Sequence, residues 1–115
     1  MHELGVVFRI IDDLQEVAEE NQLSSIASVT IRLGEVSAVI PDYLTSAWNW
    51  ARKRHEFVRD CELKIETIKA VTYCEACNKT YQTVKYGRIC PYCDSERTYL
   101  LTGNEFTIKE IEVPE

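Results

Sequence analysis

The sequence predicts an α+β protein: a three-stranded sheet packed by two helices, with a four-cysteine ribbon module inserted before the last strand. Three observations carry this expectation. Two segments repeat apolar residues at helical spacing, and three others alternate them at strand spacing. Two Cys-x-x-Cys pairs, Cys74/Cys77 and Cys90/Cys93, lie between the second and third strand patterns with residues 78–89 separating them.

Leu4, Val7, Phe8, Ile11, Leu14 and Val17 recur every three or four residues, while Asp12, Asp13, Glu16, Glu19 and Glu20 occupy other faces. This pattern predicts an amphipathic helix over about residues 4–20. The polar stretch Asn21 to Ser25 ends it. Val29, Ile31 and Leu33 then alternate with Thr30 and Arg32 up to Gly34, as in a half-buried strand. Pro41 suits the first turn of a second helix, where a missing N–H costs nothing. Leu44, Ala47, Trp48 and Ala51 form that helix's apolar stripe, and Arg52-Lys53-Arg54 place positive charge where its carboxyl end favours it. Of the two remaining histidine and acid candidates nearby, His55 reads as a solvated helix-end residue and Asp42 as a helix-terminal charge.

Cys61, Leu63, Ile65 and Thr67 alternate with Glu62, Lys64 and Glu66 as a second strand, and Phe106, Ile108, Ile111 and Val113 mark a third. The parity of the third changes between Ile108 and Ile111, so a bulge or bend is expected near Lys109 and Glu110. The expected division is an α+β domain of residues 1–70 plus 102–115 and a ribbon of residues 71–101. An insertion between two strands that return together would sit on the tip of a hairpin.

The cysteine spacing has a chemical reading. One Cys-x-x-Cys turn offers two thiolates from one side, and a second folded opposite completes the tetrahedral shell that zinc prefers. Four thiolates leave no position for water or substrate, which predicts a structural zinc held by Cys74, Cys77, Cys90 and Cys93. A thiol redox motif would use a single pair opening a helix, and no periodic helix follows either pair. Cys61, the fifth cysteine, falls in the alternating run and is expected to be a small buried apolar residue. An odd number of cysteines, four of them at metal spacing, fits a reducing compartment better than a disulfide scaffold. Tyr73, Tyr81, Tyr86, Tyr92 and Tyr99 all fall in the ribbon. They are expected to pack around the metal, because the ribbon has little aliphatic core.

A chain of 115 residues with 45% apolar content can build one modest core, and a second module needs another source of stability. No run approaches the ~20 apolar residues of a membrane span, and the amino terminus lacks the regions of a secretory signal, so a soluble, cytoplasmic protein without membrane insertion is expected. The net charge of −6 disfavours a general nucleic-acid binder. Lys79, Lys85, Arg88 and Arg97 against Glu75, Asp94 and Glu96 give residues 71–101 a balance of +1, leaving −7 elsewhere. The alternative is therefore confined to the ribbon: a nucleic-acid-binding or protein-interaction adaptor whose tyrosines stack on bases. No nucleophile and base at recognisable spacing, phosphate-cradling loop or catalytic zinc motif is present, and no enzymatic activity is expected.

The opening Met1-His2-Glu3 forms a second constellation. A free amine, the His2 amide nitrogen and the His2 imidazole can close successive chelate rings around one ion, and nickel(II) accepts such imidazole- and amide-rich, square-planar sites. Glu3 could add a carboxylate or its own amide.

Together, Met1-His2-Glu3-Leu4, Leu33-Gly34-Glu35-Val36-Ser37, the two cysteine pairs and Gly103-Asn104-Glu105-Phe106-Thr107-Ile108-Lys109 resemble the hydrogenase-maturation nickel metallochaperones of the HypA/HybF family, in order along essentially the whole chain. The resemblance implies a protein that binds Ni(II) as transient cargo and delivers it to the large subunit of [NiFe]-hydrogenase, working with a GTPase of the same pathway. It further implies that His2 is the principal nickel ligand, with Glu3 and Met1 beside it, and that the four ribbon cysteines hold zinc. Some relatives use a carboxylate shortly after the Gly-Glu segment. Here that stretch is Ala38-Val39-Ile40-Pro41-Asp42, and Asp42 is displaced.

Overall fold

A computed structural model describes residues 3–114. The elements run α1 (Glu3–Glu20), β1 (Ser28–Gly34), α2 (Pro41–Arg52), a 3-10 turn (Glu56–Val58), β2 (Glu62–Ile68), β3 (Val71–Cys74), β4 (Thr80–Gln82), α3 (Thr83–Tyr86), β5 (Thr98–Thr102) and β6 (Phe106–Glu112). They build two three-stranded sheets, ordered β2-β1-β6 and β4-β3-β5. The α+β class with a cysteine-bearing insertion before the last strand is borne out. Two compact units divide the chain. One holds Ala38–Glu66 with the chain up to Ile31 and from Thr107 onward, and the other holds Arg32–Ser37 and Thr67–Phe106.

In the first unit, α1 packs on α2. Val7, Ile10, Ile11, Leu14 and Ala18 are its buried residues, at the spacing that keeps one stripe of a 3.6-residue helix facing the core. The stripe is rotated from the expected one. Leu4 and Phe8 are 39% and 41% exposed, whereas Ile10 and Ala18 are buried. Phe8 lies about 100° around the helix from Val7, enough to carry it off the core face. Val29 and Ile31 of β1, Leu44, Trp48 and Ala51 of α2, and Val58 and Cys61 complete this core, all fully buried. The Trp48 indole N–H donates to the Cys61 carbonyl oxygen at 2.9 Å, so the largest core side chain also has its polar atom satisfied.

Pro41 stands at the start of α2, preceded by extended Ile40, and Asp42 lies in the first turn. At the other end, the Arg54 guanidinium donates to the Trp50 carbonyl at 2.7 Å while stacking 3.5 Å from the Trp50 ring centroid. Arg52 reaches the Arg59 carbonyl and Asn49 Oδ1. Both cations thus serve carbonyl groups beyond or within the last turn, the role their helix-end position suggests. His55 is half-buried, edge-on to Phe57 at 6.5 Å, rather than fully solvated.

The sheet order corrects one expectation. β2 and β6 are not adjacent, because β1 lies between them. Backbone bonds at both ends of β1 give the directions. Glu62 N–H to the Ala27 carbonyl and Glu35 N–H to the Ile68 carbonyl run β2 parallel to β1, and Ala27 N–H to the Glu112 carbonyl and Gly34 N–H to the Glu105 carbonyl run β6 antiparallel. A parallel pair needs a long crossover, and α2 supplies it. β1 takes the centre because five of its seven residues are buried, whereas β2 and β6 are at most half-buried. The insertion therefore leaves and re-enters through two outer strands instead of a hairpin. Along β6 the exposure pattern loses its alternation at Lys109 and Glu110, where the parity of the sequence changes.

In the second unit, β3 is the central strand, antiparallel to both β4 and β5. Its base is a tight junction. A Cβ added to Gly34 would sit 2.1 Å from the Gly103 carbonyl oxygen, and one added to Gly103, at φ +115°, would sit 2.4 Å from the Ala70 Cα. Around these contacts Val36 N–H donates to the Gly103 carbonyl at 2.8 Å, Ala70 N–H to Glu35 Oε1 at 2.9 Å and Gly103 N–H to Glu105 Oε1 at 2.8 Å. The two Gly-Glu-containing segments quoted above thus meet, and each glutamate takes up a backbone donor that the turn leaves without a strand partner.

Candidate metal centre

Two turns of the same backbone design present the cysteines. In the first, Cys74 N–H donates to the Lys79 carbonyl and Asn78 N–H donates back to the Cys74 carbonyl, both at 2.9 Å. In the second, Cys90 N–H donates to the Ser95 carbonyl at 3.0 Å and Asp94 N–H to the Cys90 carbonyl at 2.9 Å. The residue after each second cysteine must turn left-handed to close the loop, and Asn78 and Asp94 do so at φ +61° and +60°. Asn and Asp tolerate that conformation better than any other non-glycine residue. The pairs Cys77-Asn78 and Cys93-Asp94 are the signal for these turns that the sequence carries beyond the cysteine spacing itself.

The four sulfur atoms converge. All lie within 4.8 Å of one another, with Cys74 Sγ to Cys93 Sγ at 3.6 Å and Cys77 Sγ to Cys90 Sγ at 3.7 Å. A disulfide would need about 2.05 Å. Zinc bonds of about 2.3 Å in a tetrahedron require edges of roughly 3.8 Å, so the donor set and its spacing fit a tetrathiolate ion. Cys74 and Cys90 are fully buried, Cys77 is half-buried and Cys93 is exposed, and the first two form a small core with Tyr81.

Crowding four thiols together sets their acidities apart. For Cys74, burial pushes the pKa up, but the N–H groups of Cys77 and Ala76 and the neighbouring thiols outweigh it and bring the value down to about 7. At Cys93 the Ser95 N–H acts downward, yet burial and the other three cysteines together carry it up to about 12. Burial and hydrogen bonds with Cys90 and Cys74 also raise Cys77. Without an ion, Cys74 thus ionises before Cys77 and Cys93, which hold their protons, so binding a metal must expel these. Cys61 stands apart: it is completely buried, and desolvation lifts it to about 11, as suits a packed, unreactive thiol.

Of the five ribbon tyrosines, Tyr81 alone is buried against the cysteines, and its hydroxyl donates to the Gly87 carbonyl at 2.8 Å. Tyr86, Tyr92 and Tyr99 are 43%, 60% and 49% exposed, which corrects the expectation that the group surrounds the metal. The rings pair with one another instead: Tyr73 and Tyr99 lie 5.4 Å apart, and Tyr86 is edge-on to Tyr81 at 6.0 Å. Lys79 lies 4.8 Å from the Tyr92 ring centroid and Lys85 5.4 Å from that of Tyr86.

Glu3 opens α1 and is half-buried. Met1 and His2, the other residues expected to hold nickel, lie outside the described residues. No helix among the described residues is long and apolar enough to cross a membrane.

Residues 1–113 match the family described as hydrogenase/urease nickel incorporation, metallochaperone, hypA. Among similar proteins, the hydrogenase maturation factor HypA of Picosynechococcus is 28% identical over 113 residues, covering 98% of this chain and 99% of its own. The maturation factor HybF of Klebsiella pneumoniae is 27% identical over 112 residues, covering 97% and 98%. The solution structure of the nickel metallochaperone HypA from Helicobacter pylori aligns with a TM-score of 0.71 at 30% identity, over 98% of this chain and 97% of that one. A second HypA solution structure aligns at 0.74 and 28% identity, over 99% and 97%. With a family match along nearly its full length and the same fold in solved relatives, the chain belongs to the HypA family of hydrogenase/urease nickel-incorporation metallochaperones, a family of metal carriers and not of enzymes.

Proposed function

We propose that this protein carries Ni(II) at its amino terminus and hands it to the large subunit of [NiFe]-hydrogenase during maturation, in the cytoplasm and together with a GTPase of the same pathway. Met1, His2 and Glu3 supply the nickel site in the module of residues 1–70 plus 102–115. Cys74, Cys77, Cys90 and Cys93 hold a structural zinc in the module of residues 71–101. The observation that supports this reading best is the whole-chain family match combined with four converging sulfur atoms. A closed tetrathiolate exchanges ligands reluctantly and suits a resident ion. The cargo then needs a different donor set, and an imidazole with backbone nitrogen is the one nickel(II) accepts well.

Such a site at a chain end lets ligands be exchanged one at a time with an acceptor, which favours transfer over storage. The direct test loads the protein with nickel and mixes it with nickel-free hydrogenase large subunit, the GTPase and GTP. Nickel should appear in the large subunit with the wild-type chain and fail to appear with His2→Ala. Equal transfer by both would refute the proposal. The adaptor reading draws on the exposed Tyr86 and Tyr92 beside Lys85 and Lys79. Micromolar, salt-sensitive binding of a mixed oligonucleotide would favour it instead.

A further inference from the structure

The solvent side of α2 carries aromatic side chains that the core does not use. Tyr43 and Trp50 are 60% and 46% exposed, while Leu44, Trp48 and Ala51 supply the helix's buried stripe. Seven residues apart, Tyr43 and Trp50 come to within about 20° of each other around a 3.6-residue helix. Single exposed apolar side chains are ordinary, but a contiguous row marks a contact surface. This row ends in the one run of three consecutive cations in the chain, Arg52-Lys53-Arg54. With Arg59 added and Glu56 subtracted, residues 50–59 carry a balance of +3, which leaves −9 for the rest of a chain of net −6. Among the described residues none of these four cations is paired with a carboxylate, whereas Lys64 and Lys109 are, with Glu112 at 2.7 Å and Glu66 at 2.6 Å. Arg54 spends one N–H on the Trp50 carbonyl and stacks on the Trp50 ring, so its remaining donors are free for another acceptor. Service to helix-end carbonyls accounts for Arg52 but leaves Tyr43, Trp50 and Lys53 without a structural role.

We propose that this face of α2 docks a short acidic segment of a partner protein, its carboxylates meeting Lys53 and Arg54 and its apolar side chains lying against Trp50 and Tyr43. The row from Tyr43 to Arg54 is about 15 Å long, the span of roughly five extended residues. Trp, Tyr and Arg are the side chains that most often dominate binding energy at protein interfaces. Arg54 is held in place before any partner arrives, so docking costs little of its side-chain freedom. Charge selects a short protein segment over a larger polyanion. A membrane surface or a nucleic-acid duplex extends far beyond this row and would meet the −9 balance around it, whereas a segment of a few residues covers the cations alone. Asp42 in the first turn of α2 fixes the orientation: the carboxylates lie toward Arg54 and the apolar part toward Tyr43. This inference is independent of where nickel binds.

Fluorescence anisotropy with the full zinc-loaded chain tests it. The probes are two fluorescein-labelled hexapeptides in which three glutamates join three leucines in either order, and matching peptides with glutamine in place of glutamate. At least one acidic peptide should bind with a Kd below about 1 mM and weaken at least fivefold as salt rises from about 50 to about 300 mM. Its glutamine counterpart should bind at least tenfold more weakly. Lys53→Glu combined with Arg54→Glu should weaken the acidic peptide at least tenfold, and Trp50→Ala at least fivefold. All three positions are exposed, so both variants should melt as the wild type does. Lys85→Glu, which removes a cation of the ribbon instead, should leave the affinity within twofold. No binding of either acidic peptide up to about 1 mM would overturn the proposal, as would binding that survives the double charge reversal. Capture of phosphatidylserine vesicles or of a mixed oligonucleotide at lower concentration than the peptides, abolished by the same reversal, would also overturn it and give the patch to a membrane or a nucleic acid.

Discussion

Gly34→Ala should destabilise the protein strongly, because the added methyl meets backbone at the junction of β1 with the segment Gly103–Glu105. The new Cβ would lie 2.1 Å from the Gly103 oxygen, 2.2 Å from its carbonyl carbon and 2.5 Å from the Asn104 nitrogen, all backbone atoms with no rotamer to escape into. Reaching ordinary contact means moving one segment by about 1 Å, and overpacking of that kind costs about 1–3 kcal/mol. The movement also strains the bonds from Gly34 N–H to the Glu105 carbonyl and from Val36 N–H to the Gly103 carbonyl, both 2.8 Å, worth about 1 kcal/mol each. A total near 3 kcal/mol follows, which for a domain of this size lowers Tm by roughly 10 °C. Gly5→Ala makes the identical chemical change on α1, where nothing lies within 4 Å of the added methyl. It should stabilise by up to about 1 kcal/mol through helix propensity. Thermal unfolding of the zinc-loaded proteins, followed by circular dichroism, gives both numbers. A Gly34→Ala protein within about 0.5 kcal/mol of wild type, well under the cost of overpacking, would refute the junction as described.

Three further outcomes are expected. Asp94→Val should cost about 1–2 kcal/mol and weaken zinc retention, because a β-branched residue resists φ +60°, while Asp94→Gly should leave both unchanged; chelator competition and thermal melts distinguish them. Trp48→Phe leaves the buried Cys61 carbonyl without its donor and should cost about 1–3 kcal/mol in urea unfolding. Zinc affinity should fall as pH falls, since a thiol must lose its proton to bind as thiolate. The slope should steepen below about pH 7, where Cys74 also becomes protonated in the metal-free site; titration against a chelator of known affinity reads this slope.

The elements were legible because periodicity reports which face of a segment is buried, and that determined α1, α2 and the three strands of the first sheet within a residue or two. Periodicity does not report partners. The central place of β1 goes with the burial of five of its seven residues, which only the assembled layers reveal, and so the hairpin expected between β2 and β6 does not exist. On α1, Leu4 and Phe8 fitted the three-and-four spacing yet lie at the flank of the stripe, since spacing constrains a face only to within about one residue's turn. The convergence of the cysteines followed from their pairing at metal spacing. The residues that make the turns, Asn78 and Asp94, act through backbone conformation, while Glu35 accepts the distant Ala70 N–H and Glu105 the N–H of Gly103 within its own turn. Neither role leaves a periodic trace.

The division of labour between a resident zinc and a carried nickel is tested most directly by metal content. Protein with its native amino terminus, exposed to both ions and then desalted, should contain one zinc and one nickel per chain by mass spectrometry. His2→Ala should keep its zinc and lose its nickel, and Cys90→Ala should lose its zinc and keep its nickel. Nickel that survives His2→Ala but disappears with Cys90→Ala would place the cargo at the four cysteines and contradict the two-site assignment.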